Sequence, residues 1–220
     1  MPRSTAILSL GTRKDATTWE NVCRDLGFDL AGAVKKPYPT LDELKTLFRT
    51  KPHWLFIAGH FGDMKLLNEK EDVWVDFDTD KVTLSVKRDT AQLDKTSGSF
   101  AWHSNCEVVL WGGCDVCTSK DTMGVLRKLF GEHVLLGFRG LTGWKMVDAM
   151  LGGGFIKRDH FFDRVRGHED DPVAIRDAWM KTAQHGYGGG DLESRFRAVD
   201  RNGQEWLLKE KKIVRGRKIG

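Results

Sequence analysis

The sequence predicts an α/β fold in one domain, a three-layer αβα sandwich around a mostly parallel sheet. Short, wholly apolar runs recur along the chain, as expected for strands buried on both faces. Segments with apolar residues at helical spacing stand between these runs, and such alternation is typical of a layered α/β sheet. The 220 residues, 40% of them hydrophobic, suffice for the core of one ordinary domain.

The first quarter of the chain predicts alternating strands and helices. The apolar run over residues 6–10 indicates the first strand, and residues 19–26 have the apolar spacing of a helix. Residues 28–34 are interpreted as a short second strand. Leu41–Phe48 predicts a helix that crosses over the sheet and leads into the apolar strand Trp54–Ala58, because a crossover connection joins parallel strands.

The middle of the chain adds a hairpin and two more strands. Val73–Phe77 and residues 82–86 alternate apolar and polar positions across a short turn, which predicts a β-hairpin insertion at the sheet edge. Residues 106–111 indicate a buried strand, and residues 121–130 a helix with one apolar face. Val134–Phe138 predicts the strand after it.

Two helices and a second hairpin are predicted in the last third. The helices are Trp144–Leu151 and residues 172–185, the latter with a proline in its first turn, and the hairpin turns at Asn202-Gly203. Within the single domain 1–220 we therefore expect a core over about residues 5–151, a C-terminal helix and hairpin over 152–208, and a mobile basic tail over 209–220.

Composition favours a cytoplasmic protein without a nucleic-acid or membrane partner. The 35 Lys and Arg residues against 31 Asp and Glu leave a formal charge of +4, with the signs mixed along the chain. The first apolar run is too short for a secretory signal, and no run is long enough for a membrane span. Four cysteines in a chain of this length are too few for a disulfide framework, so we expect reduced thiols.

A histidine and a cysteine follow two of the predicted buried strands. His60 comes directly after Trp54–Ala58 and one glycine, and Cys114 comes after the strand at 106–111 and two glycines. Neighbouring parallel strands end at the same edge of a sheet, where ligands bind in α/β proteins. Since a thiol attacks as its thiolate and needs a nearby imidazole or positive dipole, the pair predicts a catalytic dyad.

The glycines beside the two residues predict backbone donors for an oxyanion. Tight turns at strand ends leave N–H groups without sheet partners, and two such groups aimed at one point stabilise a tetrahedral intermediate. We expect these donors to be the N–H of Cys114 and that of Phe61 or Gly62.

At these segments the chain resembles the caspase-like cysteine peptidases, which include caspases, legumain, gingipain, separase and the bacterial CHAT peptidases. The resemblance is carried by Gly59-His60-Phe61-Gly62 after one strand and Gly113-Cys114 after the next, 54 positions apart, against about 50 in caspases. The helix and strand that follow, over residues 123–138, are similar to the CHAT succession of elements.

The resemblance implies a caspase-like fold and a cysteine endopeptidase that cleaves a polypeptide partner. It implies no metal and no cofactor, and likeness to the CHAT group suggests a regulated prokaryotic protease in a defence or death pathway, with a regulatory partner protein. Phe61 stands where the family most often has glycine, and the segment after Cys114 differs from the caspase signature Gln-Ala-Cys-Arg-Gly.

Substrate preference is left open between opposite charges. Arg139, directly after the strand that ends at Phe138, would favour an acidic side chain at the edge of the site, whereas Asp63 or Asp115 would favour a basic one. The candidates for substrate binding are Asp63, Asp115, Phe138 and Arg139.

Two other functions remain open at this point. A caspase-like module without catalysis would bind a partner or regulate an assembly. Alternatively, Cys114 and Cys117 have the Cys-x-x-Cys spacing of a redox pair or of half a zinc site, although no second pair of metal ligands has suitable spacing.

Overall fold

A computed structural model of the chain describes residues 2–11, 14–140, 144–152 and 160–220, so residues 153–159 of the predicted region 152–208 lie outside the described residues. The helices are α1 (Lys14–Asp25), α2 (Leu41–Phe48), α3 (Lys120–Phe130), α4 (Trp144–Leu151), α5 (Phe161–Val165) and α6 (Pro172–Tyr187). The strands are β1 (Ser4–Ser9), β2 (Asp29–Lys35), β3 (Trp54–Ala58), β4 (His60–Gly62), β5 (Lys65–Leu67), β6 (Val73–Phe77), β7 (Lys81–Val86), β8 (Asp89–Asp94), β9 (Val108–Trp111), β10 (Val134–Phe138), β11 (Phe196–Val199), β12 (Gln204–Lys209) and β13 (Lys212–Lys218).

The strands form two sheets. An eight-stranded sheet has the order β2-β1-β3-β9-β10-β11-β12-β13, in which the first five strands are parallel and the last three continue antiparallel. A five-stranded antiparallel sheet has the order β4-β5-β6-β7-β8. The predicted α/β class with a mostly parallel sheet is confirmed. The predicted hairpin is β6–β7, and it lies inside the second sheet rather than standing alone.

Strand β3 is apolar throughout because it contributes to two cores. Leu55 and Ile57 belong to a core that includes the apolar faces of α2, α3 and the second sheet. Trp54, Phe56 and Ala58 belong to a core that includes the apolar faces of α1, α4, α5 and α6. All five side chains are fully buried. Successive side chains of a strand point to opposite faces, so each face of the sheet receives alternate residues of the run.

Several helices begin at capping residues. Thr40 accepts a hydrogen bond from the backbone of Glu43, whose carboxylate accepts from the backbone of Thr40 in return, so α2 starts with a capping box. Ser119 caps α3, and Asp171 caps α6 with Pro172 in the first turn. Within the described ranges, no helix combines the length and the apolar character needed to cross a membrane.

The expected mobile tail over residues 209–220 is wrong. Most of it forms β13, which pairs antiparallel with β12 through a two-residue turn in which Glu210 and Lys211 have φ values of 52° and 60°. The Arg217 side chain donates to the buried Glu205 carboxylate over 3.1 Å. The charged sequence of this segment has no apolar pattern that would predict a strand. The strand is stabilised instead by its pairing with β12 and by the contact of Arg217 with Glu205.

Candidate active site

Strands β3 and β9 lie side by side in a register that relates the two predicted site residues. Ile57 pairs with Trp111, 54 positions later, and the three preceding pairs have the same offset. His60 and Cys114 are separated by that same number of positions. Both segments therefore leave the sheet at equivalent points of the edge where the parallel strands end.

Close backbone packing continues beyond the paired residues. The Gly112 N–H donates to the Ile57 carbonyl over 2.7 Å. A Cβ at Gly113 would lie 3.1 Å from the carbonyl oxygen of Gly59 and 3.0 Å from Nε1 of Trp111. The two chain segments thus touch at the residue that precedes His60 and at the residue that precedes Cys114, and glycine is needed at this contact.

His60 is exposed and begins β4, the edge strand of the second sheet. The chain passes from β3 into β4 through Gly59, where a Cβ would lie 2.8 Å from Cδ1 of Leu66 and 3.0 Å from the carbonyl oxygen of Leu67. This narrow passage carries the chain from the main sheet to the second sheet. It leaves the imidazole at the surface beside the end of β3.

Phe61, at the position where the resemblance predicts glycine, has a packing role. Its ring meets the Trp111 ring edge-on, with centroids 4.9 Å apart, and so anchors β4 to the main sheet. Successive N–H groups of a strand point to opposite sides, and among the described strands β4 pairs with β5 alone. One of the N–H groups of Phe61 and Gly62 therefore points away from β5, whatever the side chain at position 61.

The four cysteines differ in burial. Cys114 is half-buried, whereas Cys23, Cys106 and Cys117 are buried. Burial raises the pKa of the Cys117 thiol to about 12 and also raises the pKa of Cys23 and of Cys106. These three thiols are held in the protonated, unreactive form, and Cys114 is the least buried of the four cysteines.

Asp115 uses its carboxylate within the loop that follows Cys114. Its Oδ1 atom accepts hydrogen bonds from the Gly140 N–H over 2.9 Å and from the Thr118 hydroxyl over 2.8 Å. The residue stands in the left-handed region, with φ of 59°. A carboxylate oxygen engaged in this way serves the fold of the loop.

The other predicted substrate-binding residues lie in different environments. Phe138 is fully buried, with its ring centroid 5.5 Å from that of Trp179, so its side chain belongs to the core and does not reach the surface. Arg139 is exposed directly after β10. Asp63 is exposed in the β4–β5 turn, where Asp63 and Met64 have φ values of 48° and 64°. Arg139, Asp63 and Asp115 are the exposed candidates, and of these Asp115 has one carboxylate oxygen bound within its own loop.

Sequence reasoning missed three residues of this region: Trp111, Thr118 and Gly140. The Trp111 indole lies against Gly113. Thr118 and Gly140 hold Asp115. The spacing Asp-x-x-Thr, which places a hydroxyl three residues after an acceptor, is a local signal that could have revealed the contact with Thr118.

Neither metal clusters nor relatives point to a function. In the described part of the chain, no group of three or more His, Cys, Asp or Glu side chains is placed to hold a metal ion. Comparison with protein-family models, with curated proteins and with solved structures found no match.

Proposed function

We propose that this protein is a cysteine endopeptidase that uses Cys114 as nucleophile and His60 as its proton-transfer partner. The observation that carries the proposal is the shared register of β3 and β9, which brings the segments of the two residues to one sheet edge. The partial exposure of Cys114 supports it, because the other three cysteines are buried. The resemblance of both segments to caspase-like peptidases supplies the reaction.

The proposed reaction needs only the thiol, the imidazole and backbone N–H groups. The Cys114 sulfur attacks the scissile carbonyl carbon as a thiolate, while His60 holds the thiol proton. The N–H of Cys114 and the outward N–H of Phe61 or Gly62 stabilise the oxyanion. When the intermediate collapses, the C–N bond breaks and His60 gives the proton to the leaving amine. Water, losing a proton to His60, then attacks the acyl carbon, the C–S bond breaks, and acid and thiol are released.

We further propose that the chain is a single caspase-like domain of the three-layer αβα type. The division of the β3 side chains between two cores supports this, since each core contains helices packed against the main sheet. As with CHAT peptidases, we propose a regulated, cytoplasmic protease that cleaves a partner protein in a defence or death pathway and responds to a regulatory partner.

The proposed substrate is an extended polypeptide, because backbone pairing with a strand positions a peptide independently of its sequence. Strand β4, which begins at His60, is the edge strand of the second sheet and offers its edge for such pairing. Arg139 and Asp63 are exposed charged residues from which a preference for acidic or basic side chains would come.

A redox function at Cys114 and Cys117 is less well supported. It requires a second reactive thiol, and burial raises the pKa of Cys117 to about 12. The Cys117 sulfur also lies 3.1 Å from the position of a Cβ at Gly137, packed against the middle of the sheet. This thiol is a packing residue in the structure.

Cleavage of a diverse peptide library, read by mass spectrometry, tests the proposal. We expect the wild type to cleave, Cys114→Ala to be inactive, and His60→Ala to lose about 100-fold or more in kcat/KM, as for removal of a general base. His185→Ala is the matched control, since His185 is an exposed histidine on α6. Cleavage that survives Cys114→Ala would overturn the peptidase proposal.

A further inference from the structure

The residue after the proposed nucleophile ties its loop to the segment after β10. The Asp115 N–H donates to the Gly140 carbonyl over 3.1 Å, and the Asp115 carboxylate accepts from the Gly140 N–H over 2.9 Å. Thr118 closes the loop on itself, because its N–H donates to the Asp115 carbonyl over 3.1 Å and its hydroxyl to the carboxylate over 2.8 Å. Asp115 thus takes part in four hydrogen bonds within a stretch of four residues and one neighbouring loop.

The rest of the loop packs against β10. The Cys117 N–H donates to the Phe138 carbonyl over 2.9 Å. The Cys117 sulfur lies 3.1 Å from the position a Cβ would take at Gly137, so the thiol fills the space that this glycine leaves. Both Cys117 and Val116 are fully buried. The segment after Cys114 is therefore held against β10 by a backbone hydrogen bond and by two buried side chains.

Cys114 lies between two anchors of its backbone. On one side, Gly113 packs against the carbonyl of Gly59 in the segment that leads to His60. On the other side, Asp115 binds Gly140 in the segment that follows β10. The direction of the Cys114 Cα–Cβ bond is set by the backbone at positions 113 and 115 together, because a side chain leaves its backbone at a fixed angle.

We propose that Asp115 is a positioning residue for Cys114: its carboxylate holds the nucleophile loop against Gly140 and does not bind substrate. The inference rests on the proposed function at Cys114. Aspartate suits the position in two ways. Asp and Asn are the non-glycine residues that tolerate the left-handed region best, and the short side chain reaches the Gly140 N–H from there.

Three substitutions separate the contributions of backbone and carboxylate. Asp115→Asn keeps an oxygen acceptor and tolerance of positive φ, so we expect kcat within about twofold of the wild type. Asp115→Gly keeps the backbone conformation but removes the acceptor, and we expect kcat to fall by about 10- to 100-fold, as for misplacement of a reacting group, with KM within about twofold. Thr118→Val removes one donor to the carboxylate and the long contact of 3.4 Å from the Gly140 N–H to the Thr118 hydroxyl, but keeps the shorter bond from the Gly140 N–H to Asp115, so a smaller loss in kcat is expected.

A second measurement does not depend on peptide cleavage. The rate of Cys114 alkylation by iodoacetamide, followed by mass spectrometry of the folded protein, reports where the sulfur stands. We expect Asp115→Gly to change this rate by about fivefold or more relative to the wild type, and Asp115→Asn to leave it within about twofold. Circular dichroism verifies that each variant is folded at the assay temperature.

The outcomes separate the two proposals. If the wild type cleaves no peptide, the peptidase proposal fails, and the positioning of Cys114 is then judged by alkylation alone. If the wild type cleaves but Asp115→Gly matches it in kcat and in alkylation rate, positioning by Asp115 is wrong and the peptidase stands. If Asp115→Asn loses as much kcat as Asp115→Gly, or if KM rises without a fall in kcat, the negative charge itself acts on substrate and the inference is overturned.

Discussion

Replacing Gly113 by alanine adds one methyl group at the contact between the two segments of the candidate site. The new Cβ would lie 3.0 Å from Nε1 of Trp111, 3.1 Å from the carbonyl oxygen of Gly59 and 3.2 Å from Cδ1 of Trp111. Ordinary contact begins at 3.4 Å, so each distance is short by about 0.2–0.4 Å. We expect this substitution to destabilise the protein and to displace the nucleophile loop.

The magnitude follows from how little the neighbours can move. The Trp111 ring is fully buried and meets the rings of Phe61 and Phe77 at centroid distances of 4.9 and 5.2 Å, and the other neighbour is a backbone carbonyl. Overpacking at such a site costs about 1–3 kcal/mol of unfolding free energy. For a chain of this length, each kcal/mol lowers the melting temperature by about 2–4 °C.

Urea unfolding followed by circular dichroism measures the loss, and peptide cleavage measures the displacement. Gly124→Ala is the control, because this glycine lies in α3, its nearest neighbour to a new Cβ is at 3.4 Å, and alanine in a helix interior is favoured by about 0.5–1 kcal/mol. We expect the two substitutions to have opposite signs. A Gly113→Ala protein as stable and as active as the wild type would refute the argument that the two segments are in tight contact.

Three further predictions concern buried groups. Because burial raises the pKa of Cys117 to about 12, alkylation of the folded protein at about pH 8 should label Cys114 alone, and unfolding in urea should add three more labels, counted by intact mass. Burial lowers the pKa of His133 from 6.5 to about 4. As the pH falls, the unfolded chain therefore protonates at this histidine before the folded protein does. The free energy of unfolding should therefore have its full value above about pH 6.5 and decrease as the pH falls towards about 4. This decrease should be smaller in His133→Gln. Glu205→Gln should cost about 3–5 kcal/mol in urea unfolding, because Arg197, whose Nε lies 3.3 Å from the carboxylate, is left as an uncompensated buried charge.

Each of these has an outcome that contradicts it. Labelling of Cys117 at the rate of Cys114 would show that the loop opens in the folded state. A pH dependence unchanged by His133→Gln would assign the acid loss of stability to other groups. A Glu205→Gln protein that unfolds at the wild-type urea concentration would mean that the Arg197 guanidinium finds water in place of its partner.

Local patterns were sufficient for the strands of the main sheet that lead to the site. The apolar run at Trp54–Ala58 predicted β3 with its observed bounds, and Val134–Phe138 predicted β10 in the same way. The alternation at Val73–Phe77 predicted a strand of the second sheet. Strands β4, β5 and β8 were missed, because strands of three residues and an edge strand rich in polar residues have no periodic signal of their own and form through their partners.

Among the candidate substrate-binding residues, some environments follow from the local sequence and others depend on distant contacts. That Arg139 and Asp63 lie in loops follows from their positions after a strand and in a turn, and the structure leaves both exposed. The burial of Phe138 depends on Trp179 and Phe196, which pack on it from elements far along the chain. The engagement of Asp115 likewise depends on Gly140, 25 positions away.

By itself, the sequence determined that a histidine and a cysteine would each follow a buried strand, because unbroken apolar runs that end in glycine are local features of the chain. Only the tertiary structure decided that these strands are neighbours with an offset of 54 positions, since register is set by how whole strands pack. It also decided that Phe61 anchors β4 on Trp111 and that Asp115 holds Gly140. These contacts join residues distant in sequence, and no local pattern encodes them.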